Sequence, residues 1–335
     1  DFGSLRCRLM MLMVMIVMVI IRMAVGMIMM VMVVIMTMTP LHMIENGHGL
    51  AAVGFVISGH TAGMFAFSPL SGWIAQRIGY LGAILLGVAV LAVAAPLVEA
   101  ALGVDSSVVD LFNRFAPATA AHPLGTDELG RDVLVRLLYG GRVSLLVGLV
   151  TALVAAVIGT IVGLIAGFYG GRVDGLLMRF TDGVIALPLL PLLIVLAALD
   201  LEKVGLPAAF VQSENVSLYR IIAIVAVVGW TTVARLVRGA ALTLREADFV
   251  LAAHAQGAGA LRIMAVHILP NLVSPIIVAT TLSVGSVILL ESVLSFLGLG
   301  IQPPIPSWGN LLTNAQELIW TAPALAFYPG VLIRS

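Results

Sequence analysis

The stretch Leu251–Asn271, LAAHAQGAGALRIMAVHILPN, stands between two long apolar runs, and its reading decides the rest. Leu251–Gln256 is made of helix formers, and Gly257 and Gly259 break that helix. A second short amphipathic helix is expected over Ala260–Ile268, closed by Pro270. Helix, glycine turn, helix and Leu-Pro between apolar runs describe a docking element for something outside a bilayer. Taken alone, the segment also fits an ordinary amphipathic connector.

Composition supplies the bilayer. Of 335 residues, 61% are hydrophobic and only 10% are charged, where soluble domains carry about a quarter. Mean hydropathy is +1.14, and the apolar runs reach the roughly 20 residues needed to cross a hydrocarbon core. This is an all-α polytopic membrane protein. The formal net charge of zero gives no reason to expect a nucleic-acid partner. Cys7 is the only cysteine, which excludes an intramolecular disulfide and any cysteine-based metal cluster. The single lysine, Lys203, is followed by Val204, so no G-x-x-x-x-G-K-[ST] phosphate loop exists here. If ATP drives this protein, another polypeptide binds it, and the chain itself carries no cofactor.

Six spans are expected after residue 80, at about 81–103, 143–168, 176–198, 218–237, 272–294 and 319–335. In the second of these, Gly148, Gly159, Gly163 and Gly167 offer small residues at which helices can approach closely. In the third, Arg179 and Asp182 are three apart and can pair, while Pro188 and Pro191 predict a kink or broken helix. Arginines cluster at 172–179 and across 235–262 and are absent from 200–217. That bias places the coupling stretch 246–271 in the cytoplasm. Four arginines in the polar region 104–142 make the bias imperfect, but counting spans gives the same orientation. The last span stops at Ser335 and looks cut short.

Residues 1–80 differ in character. Leu9–Met38 is nearly all Met, Val and Ile after Arg6 and Arg8, and a second run covers about Leu50–Leu70, so two further N-terminal membrane helices are expected. His42, His48 and His60 match no helical i, i+4 metal pair. Ser68–Tyr80, SPLSGWIAQRIGY, resembles the loop after the second helix of major facilitator transporters, with Gly72, Arg77 and Gly79 on its pattern. Gln76 replaces that family's Asp, and Tyr80 and Leu81 replace its basic end. That likeness covers about residues 40–80.

Two further polar segments stand out. His122–Leu145, HPLGTDELGRDVLVRLLYGGRVSL, reads by itself as a solvated loop leading into an interfacial helix at Val133–Tyr139. Leu294–Leu312, LSFLGLGIQPPIPSWGNLL, reads as a rigid outer loop with Trp308 at the interface. Glu291, deep in its span, is a candidate for the translocation path; alternatively it lies near the outer interface, hydrogen-bonded to Ser292 or Ser295. Asp182 is the second candidate.

From about residue 81 to the end the chain resembles the permease subunits of type I ABC importers, in the oligopeptide, dipeptide and nickel branch. In that family the coupling loop reads Glu-Ala-Ala, three residues, Gly, nine residues, Ile-x-Leu-Pro. Ala252, Ala253, Gly257, Leu269 and Pro270 fall on it; Leu251 stands at the Glu and His267 at the Ile. His122, Pro123, Gly125, Asp127, Gly130, Arg131 and Asp132 resemble that branch's signature ahead of the second core helix. Pro303, Pro304, Pro306, Trp308 and Gly309 resemble its outer loop. The resemblance implies a six-helix core with the last helix shortened and preceded by two extra helices. It also implies a second, homologous permease, two ATPase subunits carrying ATP and magnesium, and an extracytoplasmic substrate-binding protein. Ala252 to Pro270, with Arg262, would carry ATPase closure to the membrane helices, moving peptides or nickel complexes by alternating access across the bacterial inner membrane.

Two other readings stay open at this point: an ion-coupled secondary transporter built on residues 40–80, or an inactive fusion product. An intramembrane enzyme finds no support, because no HExxH and no nucleophile–base pattern is present, so no catalytic or metal-binding residue is assigned.

Overall fold

The computed structural model describes residues 68–334, apart from 204, 206 and 314–321. The first expected helix, the three histidines and most of the facilitator-like stretch lie outside the described residues. Among the described residues the chain is helical, with one isolated bridge, Thr126 to Asp132, and no strand.

Helix α1 (Ser68–Leu102) carries one non-helical residue, Gly79 (φ 76, ψ 160). The Ser68–Tyr80 stretch, expected as a loop, is therefore helical up to this break, and the helix runs on past residue 80 into the first core span. Helix α2 (Val133–Tyr169) is one unbroken element of 37 residues, so the expected interfacial helix at Val133–Tyr139 is its first two turns. It starts on Asp132, whose side chain accepts from the Val135 amide and satisfies one of the orphan donors of the first turn. Helix α3 (Gly171–Ala186) and helix α4 (Leu189–Ala197) meet at an 85° bend. The break falls at Leu187–Pro188, because proline excludes the helical conformation from the residue before it. Pro191, in the first turn of α4, is tolerated because its missing N–H would have been unpaired there in any case.

A short helix α5 (Ala208–Val211) precedes α6 (Val216–Leu244). Then come α7 (Asp248–Ala255), α8 (Ala260–Arg262), a π-turn at Ile263–Ile268, and α9 (Leu269–Phe296). From Ala260 to Phe296 these form a single apolar rod, so Pro270 does not close the second coupling helix. Proline cannot donate to the carbonyl four residues back, and its ring crowds that turn. The π-turn absorbs both defects: the Leu269 amide reaches back five residues to the Met264 carbonyl, and the helix continues. Helix α10 (Pro323–Arg334) completes the described chain. Among the described residues four helices are long and apolar enough to cross a membrane, five if the bent pair α3–α4 is one span; α10, with 12 residues, is shorter than that.

Helix α2 is the centre. A Cβ built at Gly159 would lie 2.5 Å from the Trp230 carbonyl oxygen and 2.8 Å from Val233 Cβ. At Gly163 it would meet the Ala234 carbonyl and Val237 Cβ, and at Gly167 Ala241 Cβ at 2.6 Å. Three of the four glycines thus let the α6 backbone touch α2 directly. Gly148 serves α9 instead, where the same atom would stand 2.9 Å from Ile288 Cγ1. Tyr139 OH, donating to Glu99 Oε2 at 2.5 Å, ties α1 to the same helix.

Glycine-to-alanine substitution at two helical positions gives opposite outcomes. Gly163→Ala overpacks the α2–α6 seam and costs about 1–3 kcal/mol. At Gly175, where a Cβ meets nothing within 4 Å, the same change favours the helix by up to about 1 kcal/mol. Apparent melting temperatures in detergent should fall below the native value for the first and not for the second.

Candidate functional site

Functional residues gather at the two ends of the bundle and in a cleft between them. At one end lies the glycine-turn element. Helix α7 ends in a Schellman turn, in which the Gly257 amide donates to the His254 carbonyl and the Ala258 amide to the Ala253 carbonyl. Gly257 takes φ 80, a conformation that side chains disfavour. Val250, Ala253, Ile263, Met264 and Ile268 are buried in one cluster with Leu164 of α2, Val233, Val237 and Ala241 of α6 and Leu272 of α9. Phe168, at the end of α2, stacks on His254 with ring centroids 6.1 Å apart. The opposite face is open: Phe249, Leu251, Leu261 and Val266 are 44%, 53%, 79% and 57% exposed. Ala252, Arg262 and Pro270 are exposed as well, while His267 and Leu269 are half-buried. The element is thus seated on three core helices at once and presents an apolar surface away from them.

At the other end the two signature segments are built structures, not solvated loops. Asp127 Oδ1 accepts from the Leu129 and Arg131 amides at 2.9 Å, and its Oδ2 takes the Arg131 guanidinium at 2.8 Å. Arg136, also buried, lies 3.5 Å from the same oxygen. His122 Nδ1 pairs with Asp132 Oδ2 at 3.0 Å, completing the cap of α2. Gly125 and Gly130 have φ of 77 and 74, and a Cβ on either would strike a facing carbonyl, of Ala116 and Asp110 respectively. The charges that alternate along this segment therefore pair inside it. Pro123 stays exposed at the surface.

Trp308 is buried, not interfacial. Its Nε1 donates to the Leu137 carbonyl at 3.0 Å and its amide to Ser144 Oγ at 3.1 Å. The ring fills the notch left by Gly141, where a Cβ would lie 2.6 Å from it. Pro303 and Pro304, joined by a cis peptide bond, are exposed, and Pro306 is half-buried. Gly309 presses on Ser292, where a Cβ would come within 2.7 Å of its Cα. Glu291, fully buried, holds this loop from below: its Oε1 accepts from Ser295 at 2.6 Å and from Ser307 at 2.9 Å. Ser292, the other partner considered from sequence, donates to the Ile288 carbonyl instead.

Between the two ends a cleft of about 890 Å³ is lined by α2, α3, α4, α6 and α9. Its walls are mainly apolar, with hydroxyls from Thr151, Thr231, Thr232, Ser283 and Ser286 and one guanidinium, Arg235. Asp182 pairs with Arg235 across α3 and α6 at 2.6 Å, and not with Arg179 as the spacing suggested. An i, i+3 pair on an exposed helix face is worth only a few tenths of a kcal/mol, too little to hold Asp182 against a guanidinium offered by the next helix. Deeper toward α7, Arg238 grips Asp174 with two hydrogen bonds of 2.5 and 2.6 Å. Neither of the two acids singled out from sequence lines the cleft: Asp182 reaches it only through its partner Arg235, and Glu291 lies apart from it. Sequence reasoning missed His254 and both cross-helix ion pairs, because their partners are 53 to 86 positions away. Among the described residues no three His, Cys, Asp or Glu side chains gather to hold a metal ion.

The profile of the family described as "Binding-protein-dependent transport system inner membrane component" matches residues 159–335. The chain is 37% identical over 221 residues to a dipeptide transport system permease protein (DppC) of Alkalihalophilus pseudofirmus, covering 66% of this chain and 68% of that one. It is 38% identical over 252 residues to a probable peptide ABC transporter permease protein of Sinorhizobium fredii, covering 75% and 80%. It is 41% identical over 211 residues to the oligopeptide transport system permease protein (OppC) of Escherichia coli K12, covering 63% and 65%.

The Glu291 anchor has a direct readout. Glu291→Leu removes the acceptor of two buried hydroxyls, each worth about 1–3 kcal/mol. Amide hydrogen exchange at Trp308–Leu312 should accelerate about tenfold to a hundredfold, while exchange in α7 stays as it was.

Proposed function

The chain belongs to the family of binding-protein-dependent transport system inner membrane components, and from that premise we propose that it is one permease subunit of an ATP-driven peptide importer. It crosses the membrane and carries no bond chemistry of its own. The solute is a short peptide or a related small molecule, which is what the names of its relatives describe for them; nickel complexes are a second solute class of the same branch. ATP is bound and split by separate subunits, since the chain has no phosphate loop.

The observation that carries this reading is the seating of α7. A surface built only to connect two helices has no need for four exposed large apolar side chains along α7, α8 and the π-turn, whose other face is buried among α2, α6 and α9. An ATPase groove would cover Phe249, Leu251, Leu261 and Val266. When two such ATPases close on ATP, α7 is displaced, and three core helices move with it because they share one apolar cluster. The cleft then opens to one side of the membrane or the other, in alternation. A second, homologous permease supplies the facing wall. A binding protein outside delivers the solute to the end held by Asp127, Trp308 and Glu291.

Purification of the tagged protein from native membranes, with partners identified by mass spectrometry, tests the proposal. The native protein should bring an ATPase, a second permease and a binding protein. Gly257→Pro forces φ near −65° where the turn needs 80°, and should lose the ATPase while keeping the second permease. Gly257→Asn, which tolerates that conformation, should keep both. A chain recovered alone, or partners indifferent to the proline, would overturn the reading.

A further inference from the structure

Two ion pairs join α3 to α6, and they differ in kind. Arg238 holds Asp174 with both hands, and the aspartate is only 15% exposed, the geometry of a staple between helices. Arg235 touches Asp182 through a single contact, Nη2 to Oδ1 at 2.6 Å, with the two side chains 50% and 61% exposed. The remaining donors of that fork are left to the cleft, which Arg235 lines.

Arg235 lies nine residues, about 13 Å, before the end of α6 at Leu244, inside an apolar span. A half-exposed charge at that depth faces water or solute, because lipid would not accept it. Among the described residues lining the cleft, Arg235 is the one charged side chain. Across the same cleft on α2, Thr151 is fully buried and its hydroxyl has no hydrogen-bond partner. Buried hydroxyls are almost always paired, and this one would meet a group that enters the cleft by a turn of its side chain. The cleft thus offers apolar walls of no particular shape, hydroxyls for an amide, and one fork for an anion.

We propose that Arg235 receives the carboxylate of the peptide as it passes, and that Asp182 occupies that fork while the path is empty. The proposal rests on the reading of the chain as a peptide-importer permease. A solvent-exposed, one-handed ion pair contributes little, so an arriving carboxylate displaces Asp182 at small cost. Guanidinium binds carboxylate through two parallel hydrogen bonds, and a peptide with any side chains carries that group at its C-terminus. Asp182 does two things in the empty state: it cancels a charge inside the membrane, and it keeps the fork turned into the cleft.

The complete transporter, with its partner permease, ATPases and binding protein, is reconstituted in liposomes. It is given a radiolabelled mixture of short peptides, and uptake and ATP hydrolysis are followed together. Arg235→Gln should cut uptake about tenfold while binding-protein-stimulated ATP hydrolysis persists. Asp182→Asn, which frees the fork, should take up peptide at least as fast as the native protein. Equal losses in the two variants would mean a clamp between helices and overturn the proposal, as would full uptake by Arg235→Gln. A native complex that hydrolyses ATP but imports no peptide would overturn the peptide reading itself, and this inference with it.

Discussion

The close backbone contact of α6 with α2 governs what the rest can do. Gly159, Gly163 and Gly167 leave no room for even a methyl group between the two helices. In a bilayer, where burial of apolar side chains offers no advantage over lipid, this kind of van der Waals contact is what holds helices together. Once α2 and α6 are locked, the positions of the other parts follow. Phe168 and Val237 form the seat for α7, Gly141 forms the notch for Trp308, and Arg235 and Arg238 are aimed at α3. The glycine seam therefore fixes the distance between the two working ends.

Those ends are stabilised by different physics. The α7 end is apolar throughout, a cluster of Val, Ala, Ile, Met and Leu with one stacked His254. The opposite end relies on buried polar groups held by hydrogen bonds: Asp127, Asp132, the Oε1 of Glu291 shared by Ser295 and Ser307, and the indole N–H of Trp308. Apolar packing allows helices to slide over one another. A hydrogen-bonded network has one geometry and loses much when distorted.

The sequence made most of this legible where the signal is local. The apolar runs, the glycine spacing in α2, the break at Pro188 and the helix–glycine–helix form of 251–268 were all readable from neighbours in the chain. Pro270 misled, since its effect depends on whether the preceding turn can widen, and the π-turn at Ile263–Ile268 does. His122–Asp132 looked solvated because alternating charge signs are the mark of a surface, and nothing nearby in sequence shows that Asp127 and Arg131 turn inward on each other. Asp182 was singled out with Arg179 as its partner, but the partner it takes is on another helix, 53 residues away. The α3–α6 contact that chooses Arg235 over Arg179 is a property of the fold. The same holds for Glu291, whose second partner, Ser307, comes from a loop that folds back over the helix.

The uneven distribution of irregularity along the rod Ala260–Phe296 has a mechanical meaning. The π-turn, Pro270 and Pro275 all fall in its first four or five turns, and no proline interrupts it afterwards. The regular part beyond Pro275 is about 30 Å long at 1.5 Å per residue. Such a rod is a lever with its pivot near one end. A ten-degree swing there would carry Glu291 by about 4 Å and the end of the helix by about 5 Å, close to the pitch of one helical turn. A small rotation at the α7 end would thereby be magnified into a displacement at the opposite end, without any helix having to unwind.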